Sequence, residues 1–187
     1  GSGGATIQLL THRKFNLHGH TLLIHSGGLS QRTPHVSTIG KVFSTLSSGQ
    51  SILECKLQSY RSLPFILPPG IFIGASDVIE SLPIDLPEIK ESIDIVLLTH
   101  RSIIPVAEQH GVYVVNDEGI LERVLQKPTE EEMREAGAIL DDKTVLTDSA
   151  FFLSVRTCTR LISANIPLDR ELCAYGDFLR PLGTKPE

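Results

Sequence analysis

The sequence predicts an α/β domain with a mostly parallel, mixed sheet. Three observations carry the prediction. Short apolar runs bounded by turn residues recur along the chain at Thr21–Ser26, Ile71–Ala75 and Ile93–Leu98, the length and composition of buried strands. Stretches with helical spacing of apolar residues stand between them. One further pair of runs, Val112–Val115 and Leu121–Leu125, flanks Asn116-Asp117-Glu118-Gly119, the turn chemistry of a hairpin. Strands alternating with helices form a sheet covered by helices, most of it parallel.

Taken in order, Gly1 to Gly4 read as a loop and Ala5 to about Lys14 as a short helix. Thr21 to Ser26 is the first buried strand. After a Ser-Ser-Gly turn, Ile52, Leu53, Leu57 and Tyr60 recur at helical spacing, so residues 50–62 read as an amphipathic helix. Pro64, Pro68 and Pro69 break that pattern and frame a loop. Ile71 to Ala75 is a second buried strand that ends at Ser76-Asp77. Residues 81–91 combine carboxylates with prolines and read as a surface loop. Ile93 to Leu98 is the third strand, followed by the hairpin. Thr129 with Glu132 forms a capping box that opens a helix, with acidic residues at its positive end. Val145 to Leu153 supplies one or two further strands, and helices are expected over 155–164 and 168–181. Ligands of such sheets gather at the carboxyl ends of strands, where Gly27, Asp77 and Thr99 are expected.

Composition sets the outer limits. The 187 residues suffice for one domain with a hydrophobic core, taken here as spanning 1–187. A net charge of -5 argues against a nucleic-acid partner. No apolar run approaches the roughly 20 residues of a membrane span, so no membrane partner is expected. Three cysteines without metal spacing, and no charged-then-apolar leader, point to a reduced, cytoplasmic setting. His18 and His20 have no acidic or cysteine cluster to complete a metal site.

The chemistry concentrates in residues 21–43, TLLIHSGGLSQRTPHVSTIGKVF. Gly27 and Gly28 follow the first strand and leave room for a backbone turn and for a ligand against the main chain. Their amides, with those up to Ser30, can face an anion. Arg32 and Lys41 add a planar fork and a mobile point charge, both suited to phosphate. Plain turn chemistry with solvated charges is the alternative. The spacing is neither a Walker loop nor the dinucleotide fingerprint. Asp77, at a strand end, reads either as a hard oxygen ligand for Mg²⁺ or as a helix cap. Gly111 reads as a close-approach position or a bulge. Lys127 is either a solvated lysine or a ligand contact, and Asp148 either caps a turn or meets a hydroxyl.

The order GGLSQRTP…GK (from Gly27 to Lys41), GASDV (Gly74–Val78), QHGVYV (Gln109–Val114), LQKPTEEEM (Leu125–Met133), TDSAFF (Thr147–Phe152) and AYGDFL (Ala174–Leu179) resembles the GDP-fucose pyrophosphorylase and fucokinase family, of the nucleotide-diphospho-sugar transferase type. The resemblance covers nearly the whole chain. It implies a Rossmann-like fold cut short at the C-terminus, with a β-helical domain and any kinase module lying outside this chain. It implies formation of GDP-L-fucose and pyrophosphate from GTP and L-fucose 1-phosphate, by in-line attack at the α-phosphorus, with Mg²⁺ as cofactor. Arg32 and Lys41 would be catalytic; Gly3, Gly4, Gly27, Gly28 and Ser30 would meet the nucleotide. Gly111, Lys127 and Asp148 would meet the sugar phosphate, and Asp77 and Asp177 the metal. GSGG at the start reads either as a linker or as the family's glycine-rich loop. The N-terminal region of a fucokinase or of a bifunctional enzyme is an alternative, and a non-catalytic nucleotide-binding domain is another.

Overall fold

The structure, a computed structural model, describes residues 1–12, 16, 18–26, 36, 39–83 and 86–185. The chain packs as two compact units. One comprises Gly1–Leu9, Leu97–Ser149 and Pro167–Glu187, the other Leu10–Val96 and Ala150–Ile166. Its elements are α1 (Ser2–Thr11), β1 (His20–His25), α2 (Ile52–Tyr60), α3 (Leu63–Ile66), β2 (Gly70–Ala75), β3 (Ile95–Ile103), α4 (Ile104–Ala107), β4 (Gly111–Val115), β5 (Leu121–Gln126), α5 (Glu130–Glu135), β6 (Thr144–Ser154) and α6 (Val155–Ser163). A 3₁₀ turn over Lys41–Phe43 and a π-helical segment over Ala174–Leu179 are also present among the described residues.

Among the described residues the strands form one open six-stranded sheet in the order β1-β2-β6-β4-β5, with β3 also paired to β6. The sheet is α/β and mixed, but the expectation of mostly parallel strands is corrected. Only β1 and β2 run parallel, from His20↔Gly70 to His25↔Ala75, whereas β2–β6, β4–β6 and β4–β5 are antiparallel. The physical reason lies in the connections. A parallel return needs a crossover of a dozen or more residues, and the hairpin turn between β4 and β5 is far shorter; β2–β6 and β4–β6 join segments far apart in the chain, whose relative direction no local connection sets. The expected "one or two" strands at 145–153 are one strand, Thr144–Ser154, whose two halves belong to different units.

In the Leu10–Val96 unit, β2 and the second half of β6 supply the core: Ile71, Ile73, Phe151 and Leu153 are all essentially inaccessible. In the other unit, Val112, Val114, Leu125, Met133 and Val145 form a cluster between the hairpin and α5. The capping box expected at Thr129 is present, and a second one, not expected from the sequence, stands at Ser51. Ser51 and Thr129 each close a full capping box, with Glu54 and Glu132 respectively. In the hairpin turn, Asn116 Oδ1 accepts from the Glu118 and Ile120 amides, and Gly119 takes φ 75°.

Other expectations are corrected. Gly1 to Gly4 are not a loop: the helix begins at Ser2 and ends at Thr11. Gly3 is there because its backbone lies against another segment, its N–H donating to Leu172 O at 2.9 Å and a Cβ there standing 3.0 Å from the Leu172 side chain. The proline loop contains the short α3, with Pro64 in its first turn, where a missing N–H costs nothing. Thr99 sits inside β3, which runs on to Ile103. The helix expected over 168–181 is confined to Ala174–Leu179.

Candidate active site

In the Leu10–Val96 unit the parallel pair β1–β2 brings two strand ends side by side, and Ser76 N–H extends the pairing by donating to His25 O at 3.1 Å. Asp77 follows directly. Gly40 brings Lys41 to the same place. It occupies φ 88°, the left-handed region that glycine adopts without strain, and packs against the end of β1, a Cβ there lying 3.5 Å from Ser26 Cβ. Its N–H donates to Val36 O at 2.8 Å. Lys41 Nζ then donates to Asp77 Oδ2 at 2.9 Å, with the lysine side chain 24% and the aspartate 53% exposed. Two residues predicted separately, one for phosphate and one for metal, thus form an ion pair open to solvent. Gly27, Gly28, Ser30 and Arg32 lie outside the described residues.

The other unit gathers the sugar-phosphate candidates. Gly111 pairs with Gln126 and Val112 with Thr147, so the hairpin lies beside the stretch carrying Asp148. Lys127 N–H donates to His110 O at 2.9 Å. Lys127 itself takes φ 50°, uncommon for a residue with a side chain and a recurrent feature of functional sites. Asp148 presses on Gly111: a Cβ on that glycine would stand 3.1 Å from Asp148 Oδ2 and 3.3 Å from its Cγ. The glycine therefore makes room for the carboxylate.

Asp148 Oδ1 is buried with no hydrogen-bond partner. His110 Nδ1 lies 3.4 Å from it. Burial pushes the Asp148 carboxyl above the usual aspartate range, against the opposing pull of His110 and the Gly111 amide. Burial and then the Asp148 and Tyr175 charges push the Tyr113 phenol up. Tyr175 Oη donates to Ser149 O at 2.9 Å, fixing the strand segment that carries Asp148. An unsatisfied acceptor in a mostly buried carboxylate is what a donor from a ligand, such as a hydroxyl, would complete.

Asp177 is differently engaged. Its Oδ2 accepts from the Cys173 amide at 2.7 Å and its Oδ1 lies 3.4 Å from Arg170, the contacts of a capping side chain. A Cβ on Gly4 would stand 3.8 Å from the Leu168 side chain. Among the described residues no group of three or more His, Cys, Asp and Glu side chains could hold a metal. All three cysteines are free thiols, and among the described residues no helix is long and apolar enough to cross a membrane.

Sequence reasoning missed Tyr113, Tyr175 and His110, although all three stand inside motifs quoted above. It also missed Lys56, Tyr60 and Glu80, which meet in the interior of the Leu10–Val96 unit. Nothing local marks that meeting.

An α/β sheet with a Gly-Lys turn at the carboxyl ends of a parallel pair is consistent with the nucleotidyltransferase-like class of fold. The model of the "Fucose pyrophosphorylase domain" matches residues 16–187, and the chain belongs to that family. It is 31% identical to fucose-1-phosphate guanylyltransferase of Mus musculus, with 98% of this chain and 38% of the relative covered. For the Homo sapiens protein of the same name the values are 32%, 98% and 37%. A bifunctional fucokinase/GDP-fucose pyrophosphorylase of Arabidopsis thaliana is 28% identical over 87% of this chain and 16% of its own length. The chain thus spans less than two fifths of each relative it matches.

Proposed function

We propose that this chain is the substrate-binding part of an enzyme that forms GDP-L-fucose and pyrophosphate from GTP and L-fucose 1-phosphate. The observation that carries the reading is the family match over residues 16–187, joined to the Lys41–Asp77 pair at the strand ends. A phosphate oxygen of the sugar phosphate attacks the α-phosphorus of the triphosphate. The new O–P bond forms as the bond to the bridging oxygen breaks, and pyrophosphate leaves. Such transfers rest on positioning and charge stabilisation rather than covalent catalysis by side chains.

Lys41 neutralises triphosphate charge, together with Arg32. Gly27, Gly28 and Ser30 offer backbone amides to the phosphates. Gly111 and Asp148 receive the sugar, with the free Asp148 Oδ1 accepting from a hydroxyl, and Lys127 meets its phosphate. Mg²⁺ is commonly held by one or two carboxylates completed by phosphate oxygens and water. The half-exposed Asp77 carboxylate fits an ion that arrives with a triphosphate, and the bound ion would supply further positive charge for the phosphate oxygens. Asp177, already engaged as a cap, is not needed for this. The three free thiols suit a reducing, cytoplasmic compartment.

The test is pyrophosphate release by the full-length protein from GTP and L-fucose 1-phosphate with Mg²⁺, with UTP and ATP as controls. Lys41→Ala should lower kcat about a hundredfold, the scale of one lost transition-state contact, with a smaller change in KM. Near-normal turnover in that variant would remove Lys41 from the mechanism. The bifunctional plant relative motivates one other reading: ADP formed from ATP and free L-fucose, without pyrophosphate release, would make this the N-terminal region of a fucokinase. Failure to bind GTP with Mg²⁺ would leave a non-catalytic domain.

A further inference from the structure

Helix α2 carries a charge into the interior of its unit. Lys56 is fully buried, its Nζ donating to Glu80 Oε2 at 2.7 Å and to Tyr60 Oη at 2.9 Å. The Tyr60 hydroxyl donates to the same carboxylate oxygen, and the Glu80 side chain is only 7% exposed. A buried ion pair is weak ground for stability, since well-packed apolar side chains of similar volume commonly serve as well or better. What this network supplies is a fixed geometry at a particular place.

Glu80 lies three residues beyond Asp77, in the segment that leaves the turn Ser76-Asp77. The start of that turn is held by the Ser76 N–H on His25 O at 3.1 Å, with Ser76 buried. The segment that leaves it is held by Glu80 on Lys56 and Tyr60. Between the two, Asp77 is presented to solvent. The strand that leads into the turn passes close by, a Cβ on Gly74 lying 3.4 Å from Tyr60 Oη and 3.8 Å from Lys56 Nζ.

The same helix also holds the partner of Asp77. Its first residue, Ile52, donates its N–H to Ser44 O at 3.0 Å, and Ser51 bridges to Thr45. These contacts tie α2 to the 3₁₀ turn Lys41–Phe43. One helix therefore fixes both members of the 2.9 Å pair, Lys41 through its N-terminus and Asp77 through its buried polar side chains.

We propose that Lys56, Tyr60 and Glu80 are positioning residues that set the Lys41–Asp77 geometry for the triphosphate and its divalent cation. The proposal rests on the roles given above to Lys41 and Asp77. Outer partners that orient a metal-bearing group typically change metal affinity or activity about 10- to 100-fold when removed; here the action runs through the backbone between Asp77 and Glu80.

The experiment uses the full-length protein with GTP and L-fucose 1-phosphate, and compares Lys56→Met/Glu80→Met, Tyr60→Phe and Asp77→Asn with the parent. Mn²⁺ affinity in the presence of GTP is read by electron paramagnetic resonance, alongside kcat, KM and the melting temperature. The double variant should stay folded, bind Mn²⁺ about 10- to 100-fold more weakly and lose kcat to a similar degree, while KM for the sugar phosphate stays within about twofold. Tyr60→Phe, which keeps the ion pair, should show a smaller loss of the same kind. Parental Mn²⁺ affinity and kcat in the folded double variant, with Asp77→Asn impaired, would overturn the positioning role alone. Parental values in Asp77→Asn would instead overturn the reading of Asp77, and the proposal with it. If the double variant does not fold, Tyr60→Phe decides, and parental Mn²⁺ affinity and kcat in it would overturn the proposal.

Discussion

Replacing Lys56 by Met, with Glu80 left in place, should cost the protein a large share of its stability. The substitution conserves volume and removes the ammonium that lies 2.7 Å from Glu80 Oε2 in a site from which solvent is excluded on the lysine side altogether. Breaking a buried pair from one side is worth roughly 3–5 kcal/mol, because the remaining charge has no water to replace what it lost. Tyr60 Oη still donates to the carboxylate, which argues for the lower end, about 3 kcal/mol. For a chain of 187 residues, each kcal/mol moves the melting temperature by about 2–4 °C, so a fall of about 6–12 °C is expected. Thermal unfolding followed by far-ultraviolet circular dichroism measures it. The Lys56→Met/Glu80→Met variant serves as the control: removing the second charge should recover most of the loss, because the penalty belongs to the stranded carboxylate rather than to the missing contact. A single variant that melts within about 2 °C of the parent would refute the reasoning. So would a double variant no more stable than the single.

Two further outcomes concern the other unit. Asp148→Asn should make the protein more stable at pH 7, not less. The folded-state pKa is raised above the ordinary 3.8, so the folded chain holds a proton that the unfolded chain has released, and stability falls as pH rises from that value through the folded one. Asparagine removes this dependence. Its advantage should close below about pH 4, where the aspartate is protonated in both states, and melting temperatures between pH 4 and pH 8 would show it; a pH-independent loss would contradict the raised value. Gly111→Ala should leave the fold intact but push Asp148 aside by a few tenths of an ångström, since the new methyl would sit 3.1 Å from Oδ2. A full ångström of misplacement costs about a hundredfold, so kcat/KM for the sugar phosphate should fall about tenfold, and steady-state rates unchanged from the parent would exclude Gly111 from the sugar site.

The features legible in the sequence are those set by neighbours in the chain. The Thr129 capping box depends on a hydroxyl and a carboxylate three residues apart, and the hairpin turn on Asn116 and Gly119; both can be recognised without knowing what packs on them. The apolar runs at β1, β2 and β4 announced themselves as strands because a strand needs little more than β-branched and aliphatic residues in sequence, although only β2 and β4 are buried and β1, expected to be buried, is half-exposed. The same holds for part of the site. Gly40-Lys41 and Asp77 were recognisable singly, because a glycine beside a cation and an aspartate at a strand end each have local chemistry.

Tertiary structure decided the rest. Strand direction depends on which edge a chain returns to, and no local pattern announces that. Gly3 reads as loop because glycine disfavours helices, yet it lies within α1 because Leu172 leaves no space for a Cβ. Asp148 reads equally as a turn cap or a hydroxyl contact, and only the structure shows it mostly buried and pressed against Gly111. Lys56 shows the limit most clearly. On an amphipathic helix a lysine belongs by default to the wet face, and only the Glu80 carboxylate, 24 positions further along the chain, makes the interior an acceptable place for its charge. Burial of a charge is a property of the pair, and no single stretch of sequence contains both members.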